Sequence, residues 1–178
     1  MGRKNSVGTA NGLPNGERAG GAAAGSGAPV PCHLLVMRTS AMGDVAMLPH
    51  ALRALTAAYP DLRVTVATQA MFSPFFAGLD VGFLDVDVKG AHHSLAGMWR
   101  LAAQARRLGV DAVADVHDVL RSKAFRLAMR LHGVPAAHID KGRAGKRAFI
   151  RCGGRGMEPL RHTVLRYCCL LYTSDAAD

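Results

Sequence analysis

Residues 33–60, HLLVMRTSAMGDVAMLPHALRALTAAYP, decide how this chain is read. The run His33 to Met37 is short and apolar enough to be a strand buried on both faces of a parallel sheet. The next residues, RTSAMGD, change character. Ser40, Gly43 and Asp44 are the small, flexible and capping residues with which a chain leaves a strand and enters a helix. From there Val45, Leu48, Leu52, Leu55 and Ala58 recur at helical spacing, so one face of a helix starting at Val45 can lie on the sheet. The stretch is a β-turn-α unit. Ligands of open α/β sheets bind outside the carboxyl ends of the strands, so Arg38 to Asp44 lies where chemistry is expected.

Further along, the alternation persists. Leu62 to Thr68, rich in Val and Thr, reads as a second strand, and a short amphipathic segment, Met71 to Leu79, leads to a third at Val81 to Val86. Leu95, Met98, Trp99, Ala102, Ala105 and Leu108 define a helix that Gly109 ends as a C-cap would. A fourth strand, Ala112 to Val116, a helix Val119 to Leu131 closed by Gly133, and a last strand, Ala136 to Ile139, complete the pattern. Strands alternating with helices predict an α/β fold: a parallel sheet with right-handed crossovers and helices on both faces. No internal repeat is evident.

The two ends differ from this body. Residues 1–31 are rich in Gly, Ala, Ser and Asn, with no periodic apolar face, the composition of a disordered leader or of a wrongly assigned start. The glycines at Gly25 and Gly27 precede the first strand, so they do not form a dinucleotide-binding loop. At the other end Cys169 to Asp178, CLLYTSDAAD, reads as the translation of a transposon-end sequencing adapter. The expected organisation is a leader at 1–31, one domain at 32–167 and a non-native tail at 168–178.

With 178 residues, 49% of them apolar, the chain can bury one good core. Its net charge of +9, from 22 Lys and Arg against 13 Asp and Glu, favours acidic partners: nucleic acid, anionic lipid head groups or phosphorylated substrates. Cys32, Cys152, Cys168 and Cys169 form neither a C-x-x-C pair nor a zinc ligand set with His, so reduced thiols are the simpler reading and no metal site is expected. No apolar run approaches the roughly 20 residues of a membrane span, and the first 30 residues lack a signal-peptide centre. A cytoplasmic location is expected.

Three segments together carry a family resemblance: MRTSAMGDVAMLPHALRALTAAYPDLRVTV (37–66), DAVADVHDVLRSKAFRLAMRLHGVP (111–135) and IDKGRAGKR (139–147). The first closely resembles the amino-terminal motif of glycosyltransferase family 9, the ADP-heptose:lipopolysaccharide heptosyltransferases, with its strand, S-x-x-G-D turn and long helix. The resemblance covers about residues 33 to 167 and implies a Rossmann-like sheet forming the N-terminal, acceptor-side domain of a GT-B fold. Members of that family are about twice this length and hold the sugar nucleotide mainly in a second domain. It implies transfer, with inversion, from a nucleotide-diphosphate sugar such as ADP-heptose to an acidic, lipid-linked core saccharide of lipopolysaccharide. No cofactor is implied, and peripheral contact with the inner membrane surface is. The truncated chain alone would be inactive.

Asp44 has two readings that need not exclude each other. As an N-cap it would accept a backbone N–H and meet the positive end of the helix dipole. As a general base it would take the proton from the attacking hydroxyl of the acceptor, while the leaving phosphate is stabilised elsewhere; the family's catalytic aspartate falls in this turn. The run DVHDVLRSK, Asp115 to Lys123, follows the fourth strand and reaches the same sheet edge. Ser40, Gly43, His117, Asp118, Arg121 and Lys123 are the candidate acceptor-binding set, the two cations as partners for phosphates or sugar carboxylates. The blander alternatives are that Asp118 only caps the next helix and that Arg121 and Lys123 only solvate it. The basic run Lys141 to Arg147 is either a phosphate or lipid-surface contact or a solvated loop. A competing function, a non-enzymatic basic module binding nucleotide or nucleic acid, lacks the interleaved aromatic and basic residues of a stacking surface, so no nucleic-acid partner is expected.

Overall fold

The computed structural model describes residues 31–142 and 162–172, with Arg147, Ile150 and Arg151 between them. Five strands form one sheet: β1 (His33–Met37), β2 (Arg63–Thr68), β3 (Gly82–Asp85), β4 (Ala112–Asp115) and β5 (Ala136–His138). All pairings are parallel, in the order β3-β2-β1-β4-β5. Among the described residues α-helices α1 (Met42–Ala58), α2 (Leu95–Arg107), α3 (Leu120–Leu131) and α4 (Thr163–Tyr172) pack around it. A 3-10 helix, Ala70–Phe76, fills the segment read as amphipathic. The expected leader, save Pro31, lies outside the described residues, as do Cys152 and residues 143–146 of the basic run.

Alternation along β1 explains the layering. Leu34 and Val36 point to one face, where they pack with α1, the 3-10 helix and Tyr167 and Leu170 of α4. Leu35 and Met37 point to the other, against Met98 and Leu101 of α2 and Phe125 and Met129 of α3. Every residue of β1 is buried, as a strand covered on both faces must be. Each such fully buried Leu or Met contributes about 1.5–3 kcal/mol relative to exposure. Asp111 ties the sheet at its amino edge, its carboxylate accepting the N–H of Cys32 (2.9 Å) and of His33 (3.1 Å).

Helix ends follow ordinary capping chemistry in three places. Ser94 caps α2, its hydroxyl accepting the Gly97 N–H at 3.1 Å. Gly109 and Gly133 take φ of +75° and +79° after α2 and α3, the left-handed conformation that a side chain would strain. The outward stripe of α2 departs from expectation. Met98, Ala102 and Ala105 are buried, together with Leu101, whereas Leu95, Trp99 and Leu108 face solvent. At the carboxyl end, α4 continues past the expected boundary at 168, and Leu170 packs in the core beside Leu48 and Leu52 of α1. Among the described residues no helix is long and apolar enough to cross a membrane.

Candidate functional site

Strand order reverses between β1 and β4, so the chain leaves these neighbours toward opposite sides and opens a crevice at their carboxyl ends. Arg38, Thr39 and Ser40 enter it from β1; Val116, His117 and Asp118 enter it from β4. Residues nearly eighty positions apart thereby share one site.

Arg38 is its centre. The buried guanidinium donates through Nη1 to the carbonyl of Val116 and through Nη2 to the carboxylate of Asp44. It also lies 6.0 Å over the ring of Tyr167, whose hydroxyl donates to the Asp44 carbonyl at 3.1 Å. The planar fork suits this role, since two directed bonds fix both turns at once. Burial pushes the Tyr167 hydroxyl up to about 12, so it remains a donor at neutral pH.

Asp44 is not the helix cap. α1 begins three residues earlier than the sequence suggests, at Met42, and Ala41 in the cap position offers no side-chain acceptor. Asp44 is the third helical residue, still near the positive end of the dipole, but its directed bond goes to Arg38. Its side chain keeps 36% exposure, so the carboxylate is oriented from within and open to an incoming group. Gly43, in the same turn, has nothing within 4 Å of where a Cβ would stand.

His117 is buried between two hydroxyls: Nδ1 lies 3.0 Å from Thr39 Oγ1 and Nε2 3.1 Å from Ser40 Oγ. Burial, then the Arg38 charge and further Lys141, lower its pKa from the usual 6.5 to about 4, against the opposite pull of Asp115 and Asp44. The ring is thus neutral at neutral pH, with one donor and one acceptor nitrogen, so one hydroxyl donates to it and the other accepts.

Asp115, wholly buried, holds this turn. Its Oδ1 accepts the N–H of His117 and of Asp118, both at 2.9 Å, and its Oδ2 lies 3.4 Å from Arg126 Nη1. Asp118 adopts φ of +45°, which aspartate tolerates better than most residues. It does not cap α3 either: Val119 holds that position, and Ser122 Oγ accepts the Val119 N–H at 3.0 Å. The Asp118 carboxylate instead lies 3.5 Å from Arg126 and 3.9 Å from Lys123, and Lys141 Nζ donates to the Asp118 carbonyl at 2.9 Å.

A cleft of about 520 Å³ opens beside these turns, lined by Thr39, Ser40, Gln69, His117 and Arg121 and, toward solvent, by Leu95 and Leu120. Of the candidate acceptor-binding set, Ser40, His117 and Arg121 line it. Gly43 and Asp44 do not; Asp44 is tied through Arg38 to the carbonyl of Val116, the residue before His117. Asp118 and Lys123 do not line it either and pair with each other. Among the described residues no group of three His, Cys, Asp or Glu could hold a metal ion.

Gln69, Arg126 and Tyr167 lie outside the stretches the sequence singles out, and Arg38 and Thr39 fall within the turn Arg38 to Asp44 without a role of their own. The signal for Arg38 was its place as the first residue beyond a buried strand. Tyr167 gave none.

No family model matches the sequence, and no curated protein matches it. Solved structures do. The glycosyl transferase family 9 from Veillonella parvula DSM 2008 has a TM-score of 0.60 at 18% identity, over 82% of this chain and 42% of that one. The E. coli heptosyltransferase WaaC with ADP-2-deoxy-2-fluoro heptose gives 0.56 at 18% identity, over 82% and 49%. The E. coli ADP-heptose lps heptosyltransferase II gives 0.53 at 19%, over 82% and 41%. This chain spans less than half the length of each. Its Rossmann-like α/β fold is therefore the one found in solved structures of glycosyltransferase family 9, in agreement with the resemblance carried by its sequence.

Proposed function

We propose that the chain is the acceptor-side domain of a heptosyltransferase-like glycosyltransferase, which moves a sugar from a nucleotide-diphosphate donor to an acidic, lipid-linked core saccharide with inversion. The observation that carries this reading is the pairing of Asp44 with Arg38 at the switch point of the sheet. It leaves one carboxylate oriented and partly exposed, four residues along the chain from Ser40, which lines a cleft of about 520 Å³.

In this reading Asp44 takes the proton from the acceptor hydroxyl as that oxygen attacks the anomeric carbon. Arg38 positions the carboxylate. Ser40 and Thr39, ordered by neutral His117, supply hydrogen bonds to the saccharide, and Arg121 meets its phosphate or carboxylate. Gly43 leaves room for the acceptor to approach the first turn of α1. The donor, an ADP-heptose-like sugar nucleotide, is held by a second domain, and the work takes place in the cytoplasm at the inner membrane surface, where the acceptor's lipid is anchored.

The test is a transfer assay on the reading frame extended by its second domain, with ADP-heptose and a heptose-free phosphorylated core acceptor. The expected product carries an inverted anomeric centre. An extended protein with Asp44 intact that binds both substrates and forms no product would overturn the assignment.

A further inference from the structure

α2 and α3 lie side by side and run in the same direction. Leu95 and Leu120, at their starts, both line the cleft, and Arg106, near the end of α2, is 3.3 Å from His132 just beyond α3. Their inward stripes are occupied by the core. α3 nevertheless carries a second apolar stripe. Leu120, Leu127 and Leu131 fall at i, i+7 and i+11, along one line of the helix, and are 76%, 54% and 65% exposed. Next to it α2 exposes Leu95 and Trp99.

The charge on these helices has one sign. α2 contributes Arg100, Arg106 and Arg107, and α3 contributes Arg121, Lys123 and Arg130 besides the inward Arg126; neither helix contains an Asp or Glu. Single exposed leucines are ordinary. A row of them beside a tryptophan, among cations and without one acid, is the composition of a helix that lies in a membrane interface. There the apolar side chains enter the acyl boundary and the cations meet lipid phosphates. Nucleic acid would use the cations and leave the leucines in water. An anionic bilayer uses both.

We infer that the outer faces of α2 and α3 form a docking surface for an anionic lipid bilayer. The stripe starts at the cleft, because Leu95 and Leu120 belong to both, so a docked chain opens its cleft at headgroup level. This deepens the membrane contact of the proposed function and rests on that reading only for the acceptor's location. The surface itself is tested without turnover, so its failure and the failure of the transferase reading are separable.

Trp99 is the chain's only tryptophan and reports directly. The full chain is titrated with vesicles of phosphatidylglycerol and phosphatidylcholine, with pure phosphatidylcholine as control. Expected is a blue shift of Trp99 emission on the anionic vesicles alone, quenched by doxyl-labelled lipid and reversed by salt. The Leu127→Ser/Leu131→Ser variant, altered at exposed positions outside the cleft, should keep its circular dichroism and bind about tenfold or more weakly. Arg106→Gln/Arg107→Gln should weaken binding on the order of tenfold. Absence of binding, equal binding to neutral vesicles, vesicle binding with unchanged Trp99 emission, or wild-type binding by the leucine variant would each overturn the inference. Preference for an oligonucleotide over the anionic vesicles at equal salt would assign the surface to nucleic acid instead.

Discussion

The buried imidazole of His117 makes stability depend on pH in a way that can be worked out. In the folded chain its pKa is lowered to about 4, while the unfolded chain titrates near the ordinary 6.5. Between these values the unfolded state binds the extra proton, so stability is fully present above pH 6.5, falls as pH falls, and levels off below about 4. The loss attributable to this one ring is about 2 kcal/mol at pH 5 and on the order of 3 kcal/mol at pH 4, from 1.36 kcal/mol per unit. With a urea slope of about 1–3 kcal/mol/M, the midpoint at pH 5 should lie on the order of 1 M below that at pH 7 for this reason alone. Other groups titrate in the same window, so the measurement is a double difference. Urea unfolding at pH 7 and pH 5 is compared for the wild type and His117→Gln, which keeps a donor and an acceptor but cannot titrate. The variant starts less stable and should lose about 2 kcal/mol less on acidification. If both chains lose the same amount, or if the His117 ring protons titrate near 6.5 by NMR, the imidazole is not held neutral as the geometry requires.

Asp44→Asn in the extended protein should leave α1 intact, because Asp44 does not cap it, and should lower transfer by about a hundred- to ten-thousandfold; near-normal turnover would move the base elsewhere. Gly43→Ala should raise stability by up to about 1 kcal/mol, as alanine does within a helix, yet weaken acceptor binding by calorimetry, since the open space above Gly43 would be filled. Tyr167→Phe removes the bond to the Asp44 carbonyl and should lower stability by about 1 kcal/mol in thermal unfolding, with no change in the core packing of the ring. Shortening the chain to end at residue 168 should lower its melting temperature by several degrees, since Leu170 leaves the core; unchanged melting would show that the last turns of α4 contribute nothing.

Strand β1 was legible residue for residue, because a short apolar run followed by Ser, Gly and Asp has few other readings. The order of elements followed from alternating periods, and the glycines after α2 and α3 marked both helix ends. The outward stripe of α2 was not legible. Leu95, Trp99 and Leu108 keep helical spacing just as Met98 and Ala105 do, and spacing alone does not say which of two apolar lines meets the sheet. That the turns after β1 and β4 meet at one sheet edge was legible. What escaped was how they are joined: Arg38 reads as an ordinary cation after a strand, and only the adjacency of β1 and β4 places its guanidinium on Val116. The cap roles given to Asp44 and Asp118 failed for a shared reason. In each turn the helix starts with a residue lacking a polar side chain, Ala41 or Val119, and the carboxylate answers an arginine instead.

The pairing of β1 with β4 also governs the order in which the molecule can be made. Met37 pairs with Asp115, and the bond from Arg38 to Val116 closes a separation of 78 residues. Synthesis at about 5–20 residues per second leaves the guanidinium waiting on the order of 4–16 s before its carbonyl has even been polymerised. During that time β1, β2 and β3 with α1 and α2 can form only part of the sheet, with one edge of β1 open to other strands. Asp44 is held by no more than a solvated arginine until then. The nascent chain therefore passes through a stage in which one edge of its most apolar strand is open and the two turns have not met, and a holdase acting on that stage should raise the yield of folded protein.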